Sequence, residues 1–287
     1  MKFLTLNMYL RPPFIQSNGG DYKWERVEEL LKVLADYDVV VLQECFKAFS
    51  SRANYLIQRA ADIGLIYHAV PISNWLDFQI DGGLLVLSRY PLENQDFCKF
   101  KNSAHSDSLA AKGCFYTEII INSVHLQIFT THTQASYDDL QDQTPALEAR
   151  KSQFEQIAKF IQEKKKVNQV CILAGDFNVD GLPQTNDKSH SDEYQNIYDI
   201  LSHNATFQWK DIIFDKLGHH PITTSSIHKL QPDTCSKCLD YVFIHNESSR
   251  FIVKDCKIQE FKVDENPKGI TNVSDHCGVS FNFNIQT

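Results

Sequence analysis

A mixed α/β protein, with helices packed on a sheet-rich centre, is what this 287-residue sequence predicts. Apolar runs of strand length recur from end to end. Two of them stand almost back to back, which makes a hairpin. Between others, apolar residues recur at helical spacing. Strands joined partly by hairpins and partly by helices call for that fold class, and no linker or repeat divides the chain. One domain over residues 1–287 is expected.

The elements follow in order. FLTLN (3–7) reads as a strand. From Asp21, a plausible N-cap, Trp24, Val27, Leu30, Leu31 and Leu34 set a helical period. DVVVLQE (38–44) is apolar without alternation, as expected of a strand buried on both faces. A helix is expected over Arg52–Ile63, stopped by Gly64, and then a strand at LLVLS (84–88). CFYTEIII (114–121) and VHLQIFTTH (124–132) flank Asn122-Ser123, a hairpin turn. Helical spacing returns over Ala146–Glu163. ILAGDFN (172–178) and LDYVFI (239–244) are strands, and VSFNFNI (279–285) alternates strictly, a strand with one wet face. Polar stretches 101–112, 180–193 and 262–275 read as loops.

Composition narrows the function. Hydrophobic residues make up 43% of the chain, enough for a large core, and net charge is -8. A polyphosphate binder ordinarily carries a basic footprint, so nucleic acid is a disfavoured partner. The eight cysteines are irregularly spaced, several in apolar runs, which fits free buried thiols and a reducing, cytoplasmic setting. Cys235 and Cys238 form a lone CxxC with no second ligand pair, so two loop thiols are expected rather than zinc. No signal peptide is read, and no stretch approaches the ~20 apolar residues of a membrane span.

The chemistry gathers where strands end. Asn7, Glu44 and His132 close three strands, Asp176 and Asn178 close a fourth, Asp240 opens a fifth, and Ser274-Asp275-His276 precede the last. Asp176 and Asn178 share a face while Phe177 turns to the core. They read equally as an Asx turn or as the lining of a site. Taken singly, each of these residues also has an ordinary structural reading; their joint pattern is what points to a site. Glu44 is a hard oxygen ligand suited to Mg2+. His276, steadied by Asp240, can take a proton from water; His132 can give one to a leaving oxygen. Asn178 can hold developing phosphoryl charge. Together these groups describe a phosphodiesterase that attacks with water.

Asn7, QE at 43–44, THTQ at 131–134, GDFN at 175–178, LDYVF at 239–243 and SDH at 274–276 resemble, in order, the motifs of the endonuclease/exonuclease/phosphatase superfamily. The resemblance implies a four-layer α/β/β/α sandwich with two central, mainly antiparallel sheets. It implies Glu44 as principal Mg2+ ligand with Asn7 and Asp275 beside the metal, Mn2+ or another divalent cation being alternatives. His276 would be the general base oriented by Asp240, Asp176 and Asn178 would position water and stabilise the transition state, and His132 would face the leaving group.

Within the superfamily the sequence is most similar to neutral sphingomyelinases, by GDFN with a His at 132, by DGGLLVLSRYP (81–91), and by DSLAAKG (107–113). That last segment implies Lys112 as a phosphate-neutralising cation held by Asp107 in another state. The expected reaction is hydrolysis of sphingomyelin, or a related phospholipid, to ceramide and phosphocholine at a transient membrane contact. NWLDFQI (74–80) offers apolar residues for such a contact, though core packing is the commoner use of such a cluster. The alternatives are a Mg2+-dependent nuclease, a phosphoinositide or small phosphoester phosphatase, and a non-catalytic binding module.

Overall fold

Strand by strand, the apolar runs face two ways, and the computed structural model shows why. It describes residues 1–15, 21–72, 80–137, 141–166, 169–185, 187–202, 207–227, 236–263 and 269–286. The elements are β1 (Lys2–Asn7), α1 (Lys23–Leu34), β2 (Val39–Gln43), α2 (Arg52–Asp62), β3 (Tyr67–Ala69), β4 (Ile80–Asp81), β5 (Leu85–Ser88) and β6 (Glu93–Lys99). A short 3-10 helix (His105–Leu109) leads into β7 (Ala110–Ala111), β8 (Gly113–Ile121), β9 (Val124–His132), α3 (Thr144–Lys164) and β10 (Val170–Asp176). The rest are α4 (Asp192–Ser202), β11 (Lys210–Asp211), α5 (Ile212–Leu217), β12 (Asp240–Asn246), β13 (Phe251–Gln259) and β14 (Gly278–Ile285).

One six-stranded sheet runs β13-β14-β1-β2-β5-β3 and the other β11-β12-β10-β9-β8-β6. They pack on each other through Phe3, Val39 and Val41 of the first and Leu126, Ile128, Val170 and Ile172 of the second. The intervening residues turn outward. Leu4, Val40 and Leu42 meet Val27, Leu30 and Leu56 of α1 and α2. Cys171, Leu173 and Phe243 meet Phe154 and Ile157 of α3 and Ile197 of α4. The result is the four-layer α/β/β/α arrangement with mainly antiparallel sheets that the sequence predicted. Strands clothed on both faces need no alternation.

The topology places the site. Each sheet has one parallel pair at its centre, β1–β2 and β9–β10, with Asn7 opposite Gln43 and His132 opposite Asp176 in register. α1 and α3 lie in the crossovers, so both members of each pair end at the same edge. β12 runs antiparallel to β10 and starts where it stops, pairing Asp240 with Asp176. β14 runs antiparallel to β1, which brings the residues just before it towards Asn7. Gly175 makes the closest approach: at φ 146° it lets β10 lie so near β9 that a Cβ would come 2.0 Å from the Thr131 carbonyl oxygen.

Several expectations need correction. α1 starts one residue after Tyr22, its N-cap in a left-handed conformation with no side-chain cap bond; Asp21 instead pairs with Arg11 and Lys23. Trp24 lies on the solvent side of α1, edge-on to Tyr55. Glu44 falls just past β2 at φ 56°, outside the strand. Stretch 101–112 holds the short helix and β7, and α4 begins inside 180–193. The hairpin stands as expected, with Asn122 and Ser123 both at positive φ as a type I′ turn requires. Cys235 and, apart from Ile80, the NWLDFQI segment lie outside the described residues. Seven described cysteines are free, and all but Cys98 are buried.

Candidate active site

Two carboxylates and an amide form its floor. The Asn7 Nδ2 group donates to Glu44 Oε1 at 3.0 Å and to Asp176 Oδ2 at 2.9 Å, bridging the two sheets. Asn7 therefore shows these carboxylates its donor side, while its Oδ1 accepts the Tyr9 N–H at 2.9 Å. To ligate a cation through Oδ1 the amide would have to turn over and release that N–H. Asp176 serves both readings of GDFN at once. Its Oδ1 accepts the Asn178 N–H in an Asx turn, and its Oδ2 faces the site. Phe177 is buried between Phe154 and Tyr241. Glu44 and Asn178 both hold left-handed backbone, a conformation that costs roughly 1–2 kcal/mol for a residue with a Cβ. Glu44 is fixed there by Gly83, whose carbonyl accepts the Cys45 N–H at 2.8 Å.

One wall is an imidazole–carboxylate pair. His276 Nδ1 lies 2.8 Å from Asp240 Oδ2, and His276 Nε2 lies 3.7 Å from Asp176 Oδ2. Thr223 Oγ1 donates to the same Asp240 oxygen at 2.7 Å while accepting the N–H groups of Leu239 and Asp240. Burial disfavours charge on His276, but Asp240 and Asp176 outweigh it and hold the imidazole well above its usual pKa. Burial pushes Asp176 up too, yet the histidine charges and the Asn7 amide leave it below the usual carboxylate range.

The opposite wall is Lys112, which is buried. Its ammonium donates to Asp107 Oδ2 at 2.8 Å and to the Thr133 carbonyl at 2.7 Å, and stands 3.2 Å from His132 Nε2. Asn178 Nδ2 donates to the same Thr133 carbonyl at 3.2 Å, so Lys112 and Asn178 meet. Lys112 thus reaches His132 while still paired with Asp107, without leaving it. His132 Nε2 is 3.6 Å from Asp176 Oδ2. Burial and the Lys112 charge pull its pKa down to about 4, so the ring is neutral at pH 7.

Burial and the charge of Asp275 raise the Glu44 carboxyl to about 7. Burial raises Asp275 also, against His276 and Arg26. Two half-buried carboxylates, one of which raises the proton affinity of the other, fit a hard divalent cation. A second set, Asp176, Asp240 and His276, presents ligand-type atoms within 4.8 Å of one another. There the imidazole already pairs with both carboxylates, which accounts for the cluster without a metal.

The nine residues given catalytic or metal-binding roles from the sequence reach this edge, as does Asp107. Three others that matter were given no role there. Thr223 holds Asp240. Ser274 Oγ donates to the Asn7 carbonyl at 2.5 Å, and Arg26 reaches the backbone on both sides of that link. Ser274 stood in plain view within SDH; Thr223 and Arg26 carry no local signal.

A family model described as the endonuclease/exonuclease/phosphatase family matches residues 4–276. A sphingomyelinase of Dictyostelium discoideum is 29% identical over 94% of this chain and 70% of its own length. A sphingomyelinase C of Listeria ivanovii is 26% identical over 87% of this chain and 74% of its own length. Among solved structures, a beta toxin of Staphylococcus aureus superposes with a TM-score of 0.75 at 20% identity, covering 98% of this chain and 99% of the toxin. A mutant of a beta toxin from that organism, determined with bound magnesium ions, superposes with a TM-score of 0.69 at 17% identity over 100% and 99% of the two chains.

Proposed function

The chain belongs to the endonuclease/exonuclease/phosphatase family and is a phosphodiesterase-type hydrolase; from that premise we propose that, as one catalytic domain, it hydrolyses sphingomyelin or a related phospholipid with the help of a divalent cation. The observation that carries the reading is the convergence, at one buried edge, of an imidazole–carboxylate pair, a carboxylate pair and an ammonium group. Similarity to sphingomyelinases over most of the chain supports the substrate class.

Glu44 and Asp275 would hold the cation, with Asn7 beside it. When bound, it would offset their charge, lower the proton affinity of nearby His276 and polarise the phosphate oxygens. Neutral His276 carries its proton on Nδ1, facing Asp240, and leaves the Nε2 lone pair to take one from water. Asp240 steadies the imidazolium that forms. Asp176, below its usual pKa, stays ionised and orients the water. Asn178 and Lys112 stabilise charge on the phosphoryl oxygens. On the leaving-group side His132 would face the departing oxygen, with the Lys112 ammonium 3.2 Å from its Nε2 adding positive charge there.

A lipid route fits the surface. Phe14 and Phe49 are 66% and 74% exposed and pack edge-to-face; Ile72 is 85% exposed. Phe49 and Ile72 line a cleft of about 920 Å³ that also reaches Gly83 and Ala111, neighbours of Glu44 and Lys112. No described helix is long and apolar enough to cross a membrane; this exposed apolar rim is the surface that would meet lipid.

Labelled sphingomyelin, glycerophospholipids, inositol phosphates and oligonucleotides, each assayed with Mg2+ and with chelator, separate the readings. Metal-dependent release of phosphocholine from sphingomyelin alone is expected. Cleavage of oligonucleotides with inert lipids would replace the reading with a nuclease. Binding without turnover of any substrate would leave a binding module.

A further inference from the structure

Arg26 on α1 is fully buried, and it donates four hydrogen bonds, every one to a backbone carbonyl. Nε donates to Asp21 at 2.7 Å, Nη1 to Met8 at 2.7 Å and to Val273 at 2.9 Å, and Nη2 to Tyr9 at 2.7 Å. A guanidinium hidden from water ordinarily takes a carboxylate for its fork. Here the fork is used to join two stretches from opposite ends of the sequence, Val273 on the far stretch lying 247 residues from Arg26 itself. One stretch, Met8-Tyr9, directly follows Asn7. The other, Val273, directly precedes Ser274, Asp275 and His276.

A second bond lies across the same seam, from Ser274 Oγ to the Asn7 carbonyl at 2.5 Å. Ser274 Oγ also accepts the His276 N–H at 3.2 Å, so the seam continues into the base. The charge matters as well as the geometry. The carboxylates whose charge acts on Arg26 include Asp275, Asp21 and Glu44, two of them from the carboxylate pair. A fixed cation behind that pair opposes its mutual repulsion before any metal arrives, and the five-donor fork cannot be copied by an ammonium.

We infer that Arg26, with Ser274, is a positioning residue for the cation site: it clamps the end of β1 to the segment before β14, setting Asp275 where it and Glu44 can share one divalent ion, with Asn7 beside them. The inference rests on the proposed cation site, and its test separates the two. Mn2+ binding to the full-length chain, without substrate, is followed by electron paramagnetic resonance and calorimetry in the wild type, Glu44→Gln, Arg26→Lys, Ser274→Ala and Arg89→Lys. Arg89 is the control for a carbonyl-binding guanidinium away from the site. It too donates to three carbonyls, those of Ala35, Tyr37 and Ile63, but beside the start of β2, at the far end from the site.

Arg26→Lys is expected to weaken Mn2+ binding about tenfold or more, the usual range for an outer partner of a metal site. Its turnover should recover as Mn2+ is raised. Arg89→Lys should lower the melting temperature less, since Arg89 is part-exposed, and should bind Mn2+ like the wild type. Wild-type affinity in Glu44→Gln removes the ion from Glu44 and the premise with it. Wild-type affinity in folded Arg26→Lys, with Glu44→Gln impaired, overturns the clamp alone, as would equal losses in Arg26→Lys and Arg89→Lys. Should Arg26→Lys not fold, Ser274→Ala decides: weakened binding supports the clamp, and unchanged binding overturns it.

Discussion

Asp240→Asn keeps the shape of a buried side chain and removes its charge. Asp240 has no exposed surface. Its Oδ2 lies 2.8 Å from His276 Nδ1 and accepts the Thr223 hydroxyl at 2.7 Å, while its Oδ1 is buried without a hydrogen-bond partner among the described residues. The role proposed for it is to stabilise His276 once the ring has taken a proton from water. A hydrogen bond to a charged group contributes about 1.5–3 kcal/mol net. With 1.36 kcal/mol per decade of rate, losing it should lower kcat about ten- to 150-fold. KM should hardly move, because Asp240 stands behind His276 rather than against substrate. Removing one partner of a buried pair costs about 3–5 kcal/mol of stability, so the melting temperature should fall as well. The assay is head-group release from choline-labelled sphingomyelin in mixed micelles with saturating Mg2+, beside a thermal melt. A kcat within twofold of the wild type, in protein that melts cooperatively, would refute the orienting role.

Lys112→Met should slow turnover by roughly 100-fold, the usual effect of losing a charge-stabilising donor, and should also destabilise the fold by leaving Asp107 unpaired. The double variant Asp107→Asn/Lys112→Met should regain melting temperature but not rate; recovery of both would make Lys112 structural. Phe49→Ser should cut vesicle binding by at most roughly tenfold to 100-fold, from the ~1.5–3 kcal/mol of burying such a ring. It should leave hydrolysis of a soluble short-chain substrate unchanged, and equal losses on both substrates would remove the lipid-facing role. Asp211, buried beside Tyr194, has its carboxyl raised by desolvation to about 6 from 3.8. Between those values the unfolded chain gives up a proton that the folded chain keeps, so its contribution to stability falls as pH rises from about 4 to 6, by on the order of 3 kcal/mol. Asp211→Asn should flatten that slope in melts taken from pH 4 to 7; an unchanged slope would refute the assignment.

What could be read from the sequence follows from burial. β2 and β10 announce themselves because apolar residues clothe both faces, and β14 because it alternates. β13 was missed: its run FIVKDCKIQ is an edge strand carrying charges and a bulge between Val253 and Asp255, so the pattern breaks. β6, with ENQDFCK, hides as an edge strand for the same reason. α4 is masked by a polar entry, and β3, β4, β7 and β11 are too short to carry a period. The site was legible where motifs end strands, since a strand's direction fixes where its last residue lies. The amide orientation of Asn7 and the neutral ring of His132 were not legible, because both depend on partners that only folding supplies. Thr223 and Arg26 act through hydrogen bonds to segments distant in sequence, and no spacing encodes that.

The central claim is that water, activated at His276 beside the Glu44–Asp275 pair, attacks phosphorus and expels the lipid oxygen. Hydrolysis of sphingomyelin in oxygen-18-enriched water, with products weighed by mass spectrometry, tests it most directly. The label should enter the phosphocholine and not the ceramide, and His276→Ala or chelator should stop its incorporation. Label in the ceramide hydroxyl, or undiminished incorporation in His276→Ala, would contradict the account.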